Sequence, residues 1–214
     1  MRASTWSENG CLDPDRGPRT AYRYHPIPSI MAKSVRNLEG RILVTGPSGV
    51  GKSTLCRYFR EHGVNAVDGD DTRLGGAVDL QGRPLRHITK DQWRRIEDWR
   101  FYWEEGRLKR FLKKNPNVVL FGASDNLFDL DLIHLFDRRI YLDASWSLVW
   151  ARLNHPARDN NWGLEPAQRS WVRRAVRDWP MKARRADFEF IIALCVERLW
   201  LPGVHGSGGK GSSE

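Results

Sequence analysis

The chain has 214 residues and a formal net charge of +9, with a pI near 9.8, a length that suits one well-buried α/β domain and is short for two. With 40% hydrophobic and 29% charged residues and no apolar run as long as a bilayer is thick, a membrane-spanning helix is excluded. The positive balance favours anionic partners (nucleotides, phosphorylated metabolites, nucleic acid or an acidic membrane surface) without choosing among them.

In chain order, residues 1–38 mix Pro, Gly and charge with neither hydrophobic period and read as a disordered leader. Glu8, Asp13 and Asp15 argue against a transit peptide, and Met31 offers an alternative start. From there, short apolar runs alternate with longer helical patterns. Strands are predicted over Arg41–Thr45, Val64–Val67, Asn117–Phe121, Arg139–Leu142 and Phe188–Ile192, and helices over Lys52–Glu61, Asp91–Lys113, Ser145–Asn154 and Glu165–Asp178. In the second of these helices, Trp93, Ile96, Trp99 and Trp103 recur at steps of three and four, which would put them on one packed face. Residues 201–214 form a Gly/Ser tail. Strands alternating with helices predict a five-stranded parallel sheet covered on both faces, a three-layer α/β/α fold.

The first predicted strand runs into Gly46-Pro47-Ser48-Gly49-Val50-Gly51-Lys52-Ser53, followed by Thr54 and a helix. This is G-x-x-x-x-G-K-[ST] in its strand-to-helix setting, the pattern of a P-loop NTPase. Glycines let successive N–H groups turn inward around a phosphate, Lys52 reaches the outer phosphates, and the Ser53 hydroxyl suits Mg²⁺. Residues 46–54 are therefore the candidate site for a nucleoside triphosphate. ATP is expected, since the guanine-reading Asn-Lys-x-Asp is missing from the sequence. The strand "NVVLFGASDN" ends in Phe-Gly where an acidic residue ordinarily completes such a site; Asp125 comes slightly later, either to reach magnesium through water or to cap a turn.

After the second strand comes "AVDGDDTRLGG", carboxylates at the carboxyl edge where α/β folds put ligand groups. Here the chain resembles the small-molecule and nucleotide kinase branch of P-loop proteins. "DGDDTR" is similar to a motif of adenylylsulfate kinases, its Asp-x-Asp to that of shikimate kinases, and the layout to adenylate kinases with a short lid. The resemblance implies that Asp68 sits near the magnesium, that Asp70 orients or deprotonates an acceptor hydroxyl, and that Arg73 binds an anionic group of the acceptor. It implies a lid over about 152–170, within a domain spanning 39–200, carrying Arg152, Arg158 and Arg169 with Asn160-Asn161-Trp162-Gly163 as hinge; Arg158 is the catalytic candidate. "VVLFGASDN", "LFDRRIYLD" and "RDNNWG" also resemble a group of small P-loop ATPases.

The expectation is an ATP- and Mg²⁺-dependent kinase of a small anionic or hydroxylated acceptor. A polynucleotide 5′-kinase using "RRIEDWRFYW" and an ATP-driven regulatory switch remain as alternatives. Nucleic acid is not favoured, because Glu97, Glu104 and Glu105 interrupt the basic run, and no membrane partner is expected. Cys11, Cys56 and Cys195 are few and scattered, so neither a disulfide framework nor zinc is indicated and the cytoplasm is the expected compartment.

Overall fold

The computed structural model describes residues 39–192 apart from 87, 129–130, 157 and 159–161; the leader with Met31, the tail, Cys11, Cys195 and the Asn160-Asn161 part of the expected hinge lie outside the described residues. The main sheet contains β1 (Arg41–Thr45), β2 (Ala66–Asp68), β5 (Val118–Phe121), β6 (Arg138–Asp143) and β7 (Glu189–Ile192). Their order is β2-β5-β1-β6-β7, and every pairing is parallel, with Val44 beside Phe121 and Ile140. The five-stranded parallel sheet expected from the β/α alternation is present.

Side chains alternate along the central strands and so feed two cores. Ile42, Val44, Phe121 and Leu142 face α1 (Lys52–Glu61) and α4 (Trp146–Leu153), meeting Leu55, Cys56, Val149 and Leu153. Leu43, Leu120 and Tyr141 face the other way, toward Leu108 and Leu112 of α3 (Glu105–Lys114) and Ala175, Trp179 and Ala183 of α5 (Pro166–Arg185). The result is the three-layer α/β/α arrangement.

Two expectations are corrected. The helix predicted over Asp91–Lys113 is divided into α2 (Lys90–Arg94), a 3₁₀ turn (Ile96–Asp98), strand β4 (Trp99–Trp103) and α3. β4 pairs antiparallel with β3 (Gly75–Asp79) as a separate hairpin, with Gly75 opposite Trp103. A spacing of four residues fits a strand as well as a helix, because four is also a multiple of two; in Trp-Arg-Phe-Tyr-Trp the aromatic preference for strands decides. In the other case, α5 runs to Arg185 through Pro180, although the residue before a proline disfavours helix. Trp179 and Ala183 are both buried in the second core, and that packing carries the helix past the proline.

Candidate functional site

β1 delivers the chain to the carboxyl edge of the sheet, where residues 46–51 turn into α1. Gly51 caps that helix at φ 107°, a left-handed conformation that resists any side chain, and no side chain caps the first turn, so its N–H groups point into the loop. At Gly46 a Cβ would stand 2.6 Å from the Leu142 carbonyl oxygen. Val50 is fully buried and pins the loop to the core; its carbonyl accepts a hydrogen bond of 2.7 Å from Arg152 Nη1. Lys52 Nζ donates to the Gly46 and Pro47 carbonyls at 2.7 and 3.1 Å, which folds the ammonium over the loop. Beside it, Ser53 is exposed and Thr54 buried.

β2 ends at Asp68 on the same edge. The Asp68 carboxylate accepts the Asp70 N–H at 3.1 Å and starts the 3₁₀ turn Gly69–Asp71. Lys52, Asp68 and Asp70 lie within electrostatic reach of one another. Burial pulls the Lys52 ammonium below its ordinary range, opposed by Asp70 and Asp68. Desolvation in the cleft pushes the Asp70 carboxyl up even though the residue keeps solvent contact; Asp68 and Asp71 add to that and Lys52 offsets it. Asp71 turns away to Arg60, 3.4 Å distant. Arg73 is exposed in the turn leading to β3.

The three arginines expected in the lid separate. Arg152 is buried in α4 beneath the loop, where it braces Val50, so it is not a lid residue. Arg169 belongs to α5, stacked 4.4 Å over Trp150 and donating to the Leu164 carbonyl. Arg158 alone lies in the connecting segment, half-buried, its Nη1 3.3 Å from the Leu153 carbonyl. Of the hinge, Trp162 and Gly163 are tied down: Trp162 Nε1 donates to Ser48 Oγ at 3.1 Å, and the Gly163 N–H to Gln168 Oε1 at 2.9 Å.

Asp125 holds the hairpin. Its carboxylate accepts the Phe101 N–H at 2.8 Å while its own N–H donates to the Phe101 carbonyl at 2.8 Å. Asn126 repeats the pattern on Trp103, accepting its N–H at 3.1 Å and donating to its carbonyl at 2.9 Å. Sequence reasoning missed the Trp162, Arg152 and Asn126 contacts; each joins residues 23 to 114 positions apart, a distance no local pattern spans.

A glycine-rich loop opening a helix at the sheet's carboxyl edge, with a lysine folded over it and carboxylates at the end of a strand two places along the sheet, defines a P-loop nucleotide-binding site. A family model described as "AAA domain" matches residues 42–162, more than half of the sequence, and the chain belongs to that family of P-loop NTPases. Among solved structures it is similar to a deoxyadenosine kinase from M. mycoides with bound dATP, at 15% identity over 72% of this chain and 90% of that one, TM-score 0.40. No curated protein matches the sequence. Among the described residues no helix is long and apolar enough to cross a membrane.

Proposed function

We propose that the chain is an ATP-dependent phosphotransferase acting on a small hydroxylated acceptor. The observation that carries this reading is the placement of Lys52, in the loop-to-helix turn after β1, and of Asp68 and Asp70, at the end of β2, on one carboxyl edge of the sheet and within electrostatic reach of one another. Phosphoryl transfer needs positioning, charge neutralisation and one group to take the hydroxyl proton. In the proposed step the acceptor oxygen bonds to the γ-phosphorus, the bond from that phosphorus to the β,γ-bridging oxygen breaks, ADP leaves, and the acceptor proton passes to Asp70. Lys52 and the loop N–H groups hold the phosphates, and Arg158 stabilises the transferring group.

The donor set suits magnesium. Among the described residues no group of three or more His, Cys, Asp or Glu is arranged to hold a metal by itself. Mg²⁺ keeps several waters and is held through phosphates with one or two protein oxygens, which Ser53 Oγ and Asp68 would provide. When bound, it would neutralise charge on the β- and γ-phosphates.

The polynucleotide alternative loses support at residues 94–103. Trp99 and Trp103 are buried, and Arg94 and Arg95 are paired with Glu165 and Asp98. Cytoplasmic siting rests on the sparse cysteines, and burial raises the Cys56 thiol to about 11, which leaves it unreactive.

The test is a single-turnover assay against hydroxylated acceptors. Asp70→Asn keeps the shape and loses the base, so acceptor-dependent transfer falls by about 10²–10⁴-fold, while Asp71→Asn, whose carboxylate is directed at Arg60, is mild. Equal rates for wild type and both variants would sink the reading and favour a slow regulatory switch.

A further inference from the structure

We propose that a cleft between the end of α5 and the start of β6 is a second ligand site, which takes a small phosphomonoester with an apolar or flat-ring body. It stands apart from the P-loop and goes beyond the phosphotransferase reading, on which it does not depend.

The cleft measures about 400 Å³ and is lined by Phe128, Ile133, Arg139 and the end of α5 with Asp187, a volume in the usual range for small-molecule sites. Arg139 is the second residue of β6, so it sits toward the amino edge of the parallel sheet, whereas the P-loop leaves the carboxyl end of β1. Lys182 and Arg185, three apart on the last turn of α5, and Asp187 are exposed around it. A ligand therefore enters without any element moving.

The sequence builds this cleft where the second core runs out. Arg139 is two residues before Tyr141 and shares its face of the sheet, so a guanidinium stands where the next core side chain would be. Ile133 is buried and Phe128 is set edge-on to Trp179 at 5.6 Å, which makes a fixed apolar wall. Past α5 the chain reverses. Asp187 takes a left-handed φ of 52°, its N–H bonds the Arg184 carbonyl, and the Phe188 N–H bonds the Ala183 carbonyl at 3.1 Å. That turn buries Phe188 and leaves Ala186 and Asp187 lining the cleft.

The need for an anion comes from Arg139. The residue is half-buried, its Nε is buried with no hydrogen-bond partner, and it forms no ion pair among the described residues. Its neighbours at the same sheet edge are matched: Arg41 by Asp137 at 2.7 Å, and Arg138 by both Glu189 oxygens at 2.9 and 2.7 Å. An unpaired charge is costly to bury, and buried polar groups are nearly all satisfied in folded chains. Arg185 likewise forms no ion pair among the described residues.

Two guanidiniums from different elements, with the Lys182 ammonium beside them, offer more donors than the two oxygens of a carboxylate can accept. They suit the three oxygens and double charge of a phosphomonoester. Asp187 is the one carboxylate among the described lining residues and repels a second anionic group, so a single phosphate fits the cleft better than a polyphosphate or a nucleic-acid strand. Phe128 and Ile133 then receive the body that the phosphate carries.

The test is an NMR titration of the ¹⁵N-labelled full chain, with MgADP present to occupy the P-loop, read at the Arg139 and Asp187 amides. The probes are phenyl phosphate, inorganic phosphate, benzoate and phenol. Phenyl phosphate should bind at least about tenfold more tightly than each of the others, which lack the ring, the second charge or any charge. Arg185→Gln, at an exposed position, and Arg139→Met, which keeps the aliphatic stem, should each weaken it by about 10- to 100-fold. Lys52→Ala, titrated without nucleotide, should bind it as wild type does, so failure of the triphosphate reading is seen separately from failure of this one. Amides that do not respond by about 10 mM phenyl phosphate, an equal or tighter affinity for any other probe, or undiminished binding by either arginine variant would overturn the site, whether or not Arg139→Met folds. A tighter response of the same amides to a single-stranded oligonucleotide would also overturn it, in favour of a nucleic-acid surface.

Discussion

At the scale of single residues, Arg152 and Arg158 show how chemically identical side chains six positions apart come to separate tasks. Arg152 is enclosed under the P-loop with Nη1 on the Val50 carbonyl, whereas Arg158 is half-buried in the segment after α4. Arg152→Met keeps the aliphatic stem and leaves that carbonyl unpaired, so it should cost about 1–3 kcal/mol in urea unfolding and weaken triphosphate binding by loosening the loop. Arg158→Ala should leave the unfolding midpoint nearly unchanged and lower transfer far more than binding, an effect that comparable arginines exert at up to about 10³–10⁵-fold. Reversal of the two phenotypes would exchange the roles. The sequence holds nothing to separate them, since an arginine on an amphipathic helix reads as exposed until its neighbours in space are known.

At the scale of elements, the β3–β4 hairpin tests the place of Asp125. Its carboxylate is committed to the Phe101 N–H, so Asp125→Ala should lower hairpin stability by about 1–3 kcal/mol and lower the Tm, with MgATP affinity little altered. Lost affinity at an unchanged Tm would make it a magnesium ligand after all. A second tie of this kind joins the starts of β1 and β6: Asp137 accepts hydrogen bonds from the Arg41 backbone and guanidinium at 2.7–3.1 Å, and that partner holds its carboxyl down at about 2. A depressed carboxylate stabilises the fold above its unfolded value, about 3.9, and loses that contribution as the pH falls through about 2. Asp137→Asn should therefore flatten the fall of urea stability between those limits, by less than about 1 kcal/mol because the pair is exposed; an identical pH profile would show that the tie is energetically silent. The elements also mark what the sequence discloses. The bounds of β1 and α1 are readable to the residue, because the strand run and the glycine loop are local signals. The hairpin is not, since Trp99 and Trp103 satisfy two periods at once and Gly75 gains its meaning only from Tyr102 across the turn. The P-loop was legible for the same reason β1 was; the Trp162–Ser48 bond spans 114 positions and has no local trace.

At the scale of the whole molecule, the proposed triphosphate binding and phosphoryl transfer are separable because the loop and the carboxylates follow different strands, β1 and β2, joined through the sheet and through Arg60 of α1, which donates to the Ala66 carbonyl at 2.7 Å and pairs with Asp71. Anything that binds the folded chain alone stabilises it by RT ln(1 + [L]/Kd), about 2.7 kcal/mol at one hundred times Kd. For a domain of this size that is an increase of several degrees in Tm. MgATP should raise the Tm of wild type and Asp70→Asn by the same amount, since the proposed roles put Asp70 on the acceptor and leave the phosphates to residues 46–53. Lys52→Ala should show little increase while keeping most of its ligand-free Tm, because the ammonium hydrogen-bonds loop carbonyls and belongs to neither core. Differential scanning fluorimetry on the three proteins, with and without MgATP, reads all of this without an acceptor being known. A full shift in Lys52→Ala would remove the triphosphate from the loop and with it the basis of the proposed function; a lost shift in Asp70→Asn would put that carboxylate in the nucleotide site instead of the acceptor site, leaving transfer to be assigned elsewhere.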